Sequence, residues 1–326
     1  MSGLFEDFVD LDALADEIAS EDPQRRRVAV LSLADSGASE AIALLARLVG
    51  DAHPDVRKQV AIGLGTFDGP PVANNLLVLL RDADADVAAA AAESLAELKD
   101  TAAAPPLVEA LNDPSAFVRA AVLRSLKELR SPHAWGPALA ALEDNDAAVR
   151  VQAVGVIGYL KREDTVPALQ SAARDENPLV RKAALSALGF SRTEGAAQTL
   201  ARAIGDADWI VRESAAETLG VSKAASVDVA PLITALSDDY WQVRVKAVRS
   251  LGQRNVADAA LNVAACLSHP EPNLRKEAAA ALGQFARPET RPFLEAVASD
   301  PDSDVRKNVR WALSRIDEQR VTSPSS

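Results

Sequence analysis

The sequence predicts an all-α fold, a right-handed α-solenoid of about ten two-helix repeats of 31 residues. Two observations predict it. First, an arginine recurs every 31 residues at Arg26, Arg57, Arg119, Arg150, Arg181 and Arg212, then at Arg244, Arg275 and Arg306 after one spacing of 32, with Ala88 filling the one vacant slot. A fixed period of this length marks stacked supersecondary units rather than a compact enzyme fold. Second, an apolar pattern keeps the same register. Counting the arginine as position zero, −1 is valine or leucine in every repeat but the first, +3 is always alanine or valine, and +7 is leucine or isoleucine from Leu33 to Leu313. Steps of four residues put these positions on one helical face.

The elements follow in order. Residues 1–22 read as an acidic N-terminal capping segment and first helix, with Leu4, Phe8, Leu11, Leu14 and Ile18 at helical spacing. A partner-docking helix is the sharper alternative for this segment. The repeat array occupies 23–316. In each unit a first helix carries segments such as Leu44–Val49, Leu76–Leu80 and Leu107–Leu111, several opened by a proline (Pro106, Pro137, Pro167, Pro231, Pro292) where a missing N–H costs little. An aspartate turn follows (Asp51, Asp82, Asp113, Asp144, Asp175, Asp206, Asp238, Asp300), and then a second helix from about −2 to +8. The glycines at +8 (Gly65, Gly158, Gly189, Gly220, Gly252, Gly283) read as C-terminal stop signals. Residues 317–326 read as a disordered tail.

Units such as Asp206-Ala207-Asp208-Trp209-Ile210-Val211-Arg212-Glu213-Ser214-Ala215-Ala216-Glu217-Thr218-Leu219-Gly220 resemble HEAT repeats, in particular the short HEAT-like type named after phycobilisome lyases. The resemblance spans about residues 10–316 and speaks to fold. It implies little about function, because such repeats occur in lyases, adaptors and other proteins alike.

Composition narrows the function classes. The net charge is −12, and eight acids with no compensating lysine or arginine lie in the first 22 residues. No Lys/Arg stripe lines the variable face, so a nucleic-acid partner is not expected. No run of 18 apolar residues appears, so no membrane span is expected, and a single cysteine, Cys266, excludes an internal disulfide framework. A cytoplasmic protein is the expectation. His53, His133 and His269 fall in separate turns, and no HExxH, P-loop, GxGxxG or GxSxG motif occurs. Neither a catalytic residue, a metal site nor a cofactor is expected. The absence of any His-Glu dipeptide also separates the chain from deoxyhypusine hydroxylase, an iron enzyme on HEAT-like repeats.

Two sets of residues remain. Arg57, Arg119, Arg150, Arg181, Arg212, Arg244, Arg275 and Arg306 recur, all but Arg275 with an aspartate six residues earlier, which favours a structural Asp–Arg ladder between turns over a ligand stripe. The non-repeating positions are the candidate binding surface. Positions +2, +5 and +9 lie opposite the core face, in the lane that lines the concave surface of HEAT-like arrays. There Tyr159 and Phe190 accompany the small Gly155 and Ser186, which predicts an apolar dent flanked by Arg124, Glu217 and Arg249. Trp209 and Trp241, each three residues before an arginine, predict an aromatic step on the rim. Trp311 reads as part of a C-terminal cap. The expectation is a non-catalytic scaffold, adaptor or assembly factor that holds a partner protein. The alternative, from resemblance alone, is a bilin lyase subunit or bilin-protein chaperone whose partner carries a bilin.

Overall fold

Helices of two kinds alternate along the chain, short first helices and longer second helices. The computed structural model describes residues 10–322, so Leu4 and Phe8 lie outside the described residues. The chain clusters into two compact units that divide between Leu160 and Lys161. The first unit holds α1 (Leu11–Glu17), α2 (Pro23–Ser36), α3 (Ala41–Ala46), α4 (Pro54–Leu64), α5 (Pro70–Leu79), α6 (Ala85–Ala96), α7 (Ala104–Glu109), α8 (Ala116–Glu128), α9 (Trp135–Ala140) and α10 (Ala147–Leu160). The second holds α11 (Val166–Ala172), α12 (Pro178–Leu188), α13 (Glu194–Ala203), α14 (Trp209–Val221), α15 (Ala230–Ala235), α16 (Trp241–Gln253), α17 (Ala260–Ala265), α18 (Pro272–Phe285), α19 (Arg291–Ala296) and α20 (Ser303–Thr322). Each odd helix packs on the even helix that follows it. The even helices stack in chain order, α2 through α10 in one unit and α12 through α20 in the other. This is an α-solenoid.

Three of the first helices, α7, α9 and α17, are short because both ends tighten into 3-10 turns. Thr101–Ala103 precedes α7 and Ala110–Asn112 follows it, and Pro132–Ala134 and Ala141–Glu143 flank α9 in the same way. Turns of this kind satisfy terminal backbone groups within few residues. The second helices carry the core. From Val56 to Val305 the −1 residues, from Ala29 to Val309 the +3 residues, and from Leu33 to Leu282 the +7 residues are at most 2% exposed. The departures are Arg25 and Leu313, in the first and last of the described repeats.

Two expectations about helix ends are corrected. The glycines at +8 mark the helix end in some repeats and not in others: Gly65 and Gly189 are the C-cap residues of α4 and α12, whereas Gly220, Gly252 and Gly283 lie inside α14, α16 and α18. Gly65 and Gly189 follow α4 and α12 in right-handed conformation, with φ of −66° and −60°. Their role is close approach. A Cβ on Gly220 would stand 2.2 Å from Ser250 Oγ and 2.6 Å from Ser250 Cβ on the next second helix. Left-handed residues fall instead at +11, at Gly37 (φ 63°), Arg130 (55°), Asn255 (51°) and Ala286 (51°). The C-terminal tail is also shorter than expected, because α20 continues through Thr322. Residues 323–326 lie outside the described residues.

Candidate functional site

The recurring arginine ties each turn to the next. Arg57 donates from Nε to Asp82 Oδ2 at 2.6 Å and from Nη2 to Asp82 Oδ1 at 2.8 Å, while its Nη1 reaches back to the Asp51 carbonyl at 2.7 Å. The same two-pronged grip joins Arg26 to Asp51, Arg119 to Asp144, Arg181 to Asp206, Arg212 to Asp238 and Arg275 to Asp300. Parallel charge-assisted bonds of this kind fix geometry as well as adding energy. Arg150 is buried, and its Nη1 holds the carbonyls of Asp144 and Asn145. Arg306 holds those of Asp300 and Pro301. Each aspartate also shapes its own turn. Asp82 Oδ1, for example, accepts the Asp84 N–H at 2.8 Å.

This arrangement sets the aspartate ionisation. At Asp82, Asp144 and Asp300 the arginine hydrogen bonds outweigh burial and hold the carboxyl below its ordinary range. At Asp51, Asp113, Asp206 and Asp238 burial is the largest single influence and pushes upward. The arginine bonds, a backbone N–H and Coulombic attraction together overcome it, so the net shift is again downward.

The ladder breaks twice, in opposite senses. Ala88 removes an arginine, and Arg81 at the end of the preceding first helix supplies a replacement, its Nε 2.6 Å from Asp113 Oδ2. At the second break the carboxylate is missing. The residue 25 beyond Arg244 is His269. His269 keeps the turn-shaping half of the aspartate's work, since its Nδ1 accepts the Glu271 N–H at 3.0 Å. It offers Arg244 no carboxylate. Arg244 turns so that its Nε donates to the Asp238 carbonyl. The sequence reading missed this site, although the signal was present: six residues before Arg275 stands histidine where the other turns have aspartate.

The variable lane differs between the units. In the first unit Val28 (62% exposed), Leu31 (43%), Ile62 (47%) and Tyr159 (41%) face solvent. Arg124 is exposed and, like Glu93 in the same lane, has no ion pair among the described residues. Arg130 lies over the Tyr159 ring, 5.4 Å from its centre, an arrangement that favours the cation. In the second unit Phe190 is half-buried and Ser186 beside it is exposed. Glu217 is paired with Lys246 at 2.6 Å, and Arg249 with Glu277 at 2.8 Å. These two predicted flanking charges thus engage neighbouring repeats.

The predicted aromatic step has a different partner from the one expected. The ring stacked on Trp209 is that of Tyr240, with centres 5.3 Å apart and planes 9° from parallel, and Arg212 lies 5.7 Å from the Tyr240 centre. Tyr240 occupies the N-cap position of α16 without a side-chain capping bond, and it is 44% exposed. Trp241 is half-buried. Tyr240 stands in the register of Asp208, two residues after the turn aspartate. The extra residue of this repeat therefore falls before Asp238, in the loop that joins α14 to α15. Elsewhere, burial pushes the Cys266 thiol up to about 11, which leaves it protonated and unreactive. Among the described residues no helix is long and apolar enough to cross a membrane.

Helical pairs stacked through their second helices and tied turn to turn define the chain as a repeat solenoid. A family model described as HEAT repeats matches residues 11–82, 73–135, 136–220 and 229–314, and the chain belongs to that family. No curated protein matches. Among solved structures, YIBA_ECOLI is 19% identical with a TM-score of 0.63, over 75% of this chain and 92% of that one. Importin beta is 13% identical with a TM-score of 0.63, over 97% of this chain and 52% of that one. Kap95p, whose binding induces the switch loops of RanGDP to adopt the GTP-bound conformation, is 13% identical with a TM-score of 0.61, over 96% of this chain and 49% of that one. At these identities the likeness is one of fold.

Proposed function

We propose that the protein is a non-catalytic, cytoplasmic interaction scaffold that holds a partner protein along the lane formed by its second helices. One observation carries this reading: large apolar side chains recur exposed at lane positions while the core positions of the same helices are sealed. Leu31 and Ile62 occupy the same register in neighbouring repeats and are 43% and 47% exposed, against 0% for Leu33 and Leu64 two residues further on. Exposed apolar side chains aligned across repeats, bordered by the unpaired Glu93 and Arg124, are what a partner helix with apolar and mixed-charge character can cover. The fold likeness to importin beta and Kap95p supports a binding role in kind, not in partner.

The test is affinity capture from native lysate with the wild type and with two variants. One carries Leu31→Ser, Ile62→Ser and Tyr159→Ala together. The other alters Phe190, Trp209 and Trp241. A partner retained by the wild type and lost by a variant whose melting curve is unchanged supports the mapping. A complex that survives both sets refutes it.

The lyase-type subfamily and a bilin-carrying partner form a second reading. It is favoured by Arg130 lying over the exposed Tyr159, with Arg124 also exposed, since cations beside an aromatic ring suit the propionates of an open-chain tetrapyrrole. Mixing the protein with phycocyanobilin decides it. A red-shifted absorbance abolished by Tyr159→Ala supports the reading, and an unchanged spectrum ends it.

A further inference from the structure

The same groove recurs between neighbouring repeats, and it can be compared position by position. At Arg119 it is lined by Val108, Leu111, Pro137, Ala141 and Asp144, with a volume of about 310 Å³. At Arg181 the volume is about 260 Å³, with Asp206 in the place of Asp144. In both, the aspartate accepts two arginine N–H bonds. At Arg244 the equivalent wall positions are Ile233, Leu236, Asn262, Cys266 and His269, and the groove widens to about 410 Å³.

This third groove holds an arginine without a paired carboxylate. Arg244 has no ion pair among the described residues, and its one hydrogen bond there uses Nε, which leaves both Nη groups unengaged. The nearby acids are committed elsewhere: Asp238 to the Arg212 fork, and Glu271 to the backbone and side-chain N–H groups of Asn273. His269 adds a second donor. Its Nδ1 is an acceptor for Glu271 N–H, so its own proton sits on Nε2. Burial foremost, with Arg244 next, lowers the imidazole's proton affinity and keeps it neutral near pH 7. The remaining walls are mixed, apolar at Ile233, Leu236, Leu274 and the protonated Cys266 and polar at Ser237, Asn262 and Ser268.

We propose that the groove at Arg244 and His269 binds a carboxylate from an acidic segment of a partner protein, an aspartate or glutamate side chain that completes the ladder in trans. A forked guanidinium matches a carboxylate, and the neighbouring repeats show that match made by this fold with the chain's own aspartates. Ile233, Leu236 and Leu274 give apolar residues beside that acid a surface to lie on. The site lies on the turns and not in the second-helix lane. It is independent of the lane reading, and either can fail without the other.

The experiment uses the full chain and follows arginine Nε–Hε signals by NMR, with the Arg244 signal identified by its loss in Arg244→Gln. The probes are the capped peptide Ala-Leu-Asp-Ala-Leu, its Asn counterpart, sodium acetate and inorganic phosphate. The expected result is saturable movement of the Arg244 signal with the Asp peptide and at least about tenfold weaker binding of the Asn peptide. Acetate should act weakly at the same signal. His269→Asp, which restores the carboxylate in cis as in the other repeats, should abolish the response while the protein stays folded. Equal binding of the Asn peptide, or a response that persists in His269→Asp, overturns the proposal. Phosphate binding as tight as the Asp peptide replaces the protein carboxylate with a free anion and overturns it too.

Discussion

Gly220→Ala separates two readings of the repeated glycine by the sign of its effect. If the glycine only ended a helix, alanine inside α14 would gain up to about 1 kcal/mol of helix propensity. The structure gives the opposite answer. The new methyl would stand 2.2 Å from Ser250 Oγ, 2.6 Å from Ser250 Cβ and 2.9 Å from its Cα. Rotating the hydroxyl away does not clear the Cβ or the backbone. It would also break the buried bond from Ser250 Oγ to the Ala216 carbonyl at 2.7 Å, which contributes about 0.5–1.5 kcal/mol. Adding strain of about 1–3 kcal/mol for overpacking and subtracting the propensity gain leaves a net loss of about 1–3 kcal/mol. Urea unfolding followed by far-ultraviolet circular dichroism reads this as a lower midpoint, by about half a molar or more at ordinary slopes. Gly136→Ala is the control, since a Cβ there meets nothing within 4 Å, and its midpoint should hold or rise. A Gly220→Ala midpoint equal to or above the wild type would refute the close-approach reading.

Leu188→Ala removes a side chain that is 1% exposed and should cost about 2–5 kcal/mol, visible as a lower thermal midpoint. Acid should unfold the protein steeply. The ladder aspartates have folded-state proton affinities below the unfolded ones, so their contribution is fully present above the unfolded value near 3.8 and is lost as pH falls through the lower folded values. Asp82→Asn should lower stability at neutral pH and flatten this acid limb, and parallel limbs in the two proteins would count against the ladder as its source.

The fold was legible because each repeat poses the same burial problem and solves it with the same residues. Val149, Ala153 and Ile157 could be placed in the core from spacing alone, since a helix admits one face for that period, and all three are 0% exposed. The +8 glycine was legible as a helix end at Gly65 and Gly189 but not as a close approach, because helix propensity is a property of one helix, whereas the reason for Gly220 is Ser250, about one repeat away. The candidate surface was legible in outline only. Register placed Tyr159 and Arg124 on the exposed side. It could not show that Glu217 and Arg249 find partners in the next repeat, because those pairings depend on which rotamers reach across the stack. Counting from the arginine or from the turn aspartate aligns Trp241 with Trp209, yet the ring stacked on Trp209 is that of Tyr240, one residue earlier. Register places residues on a helix, and which ring reaches across to the neighbouring repeat is set by side-chain direction.

The two breaks in the ladder bear differently on function because the chain treats them differently. An aspartate left at a turn without its arginine would be a half-buried, uncompensated charge, and at Asp113 the chain supplies Arg81 from another position. Stability alone would demand the same at Arg244, where a carboxylate six residues before Arg275 would suffice, as in the other turns. His269 shapes the turn as an aspartate would, yet it leaves the guanidinium unmatched. His269→Asp should therefore raise stability at neutral pH, by about 1–3 kcal/mol for a charge-assisted pair, with a higher thermal midpoint as the readout. A gain would show that the wild-type repeat forgoes stability which a single side chain could supply, as expected of a position kept open for a ligand. A midpoint that stays put or falls would mean Arg244 is already satisfied by the Asp238 carbonyl and solvent, and the break would then carry no more meaning than Ala88.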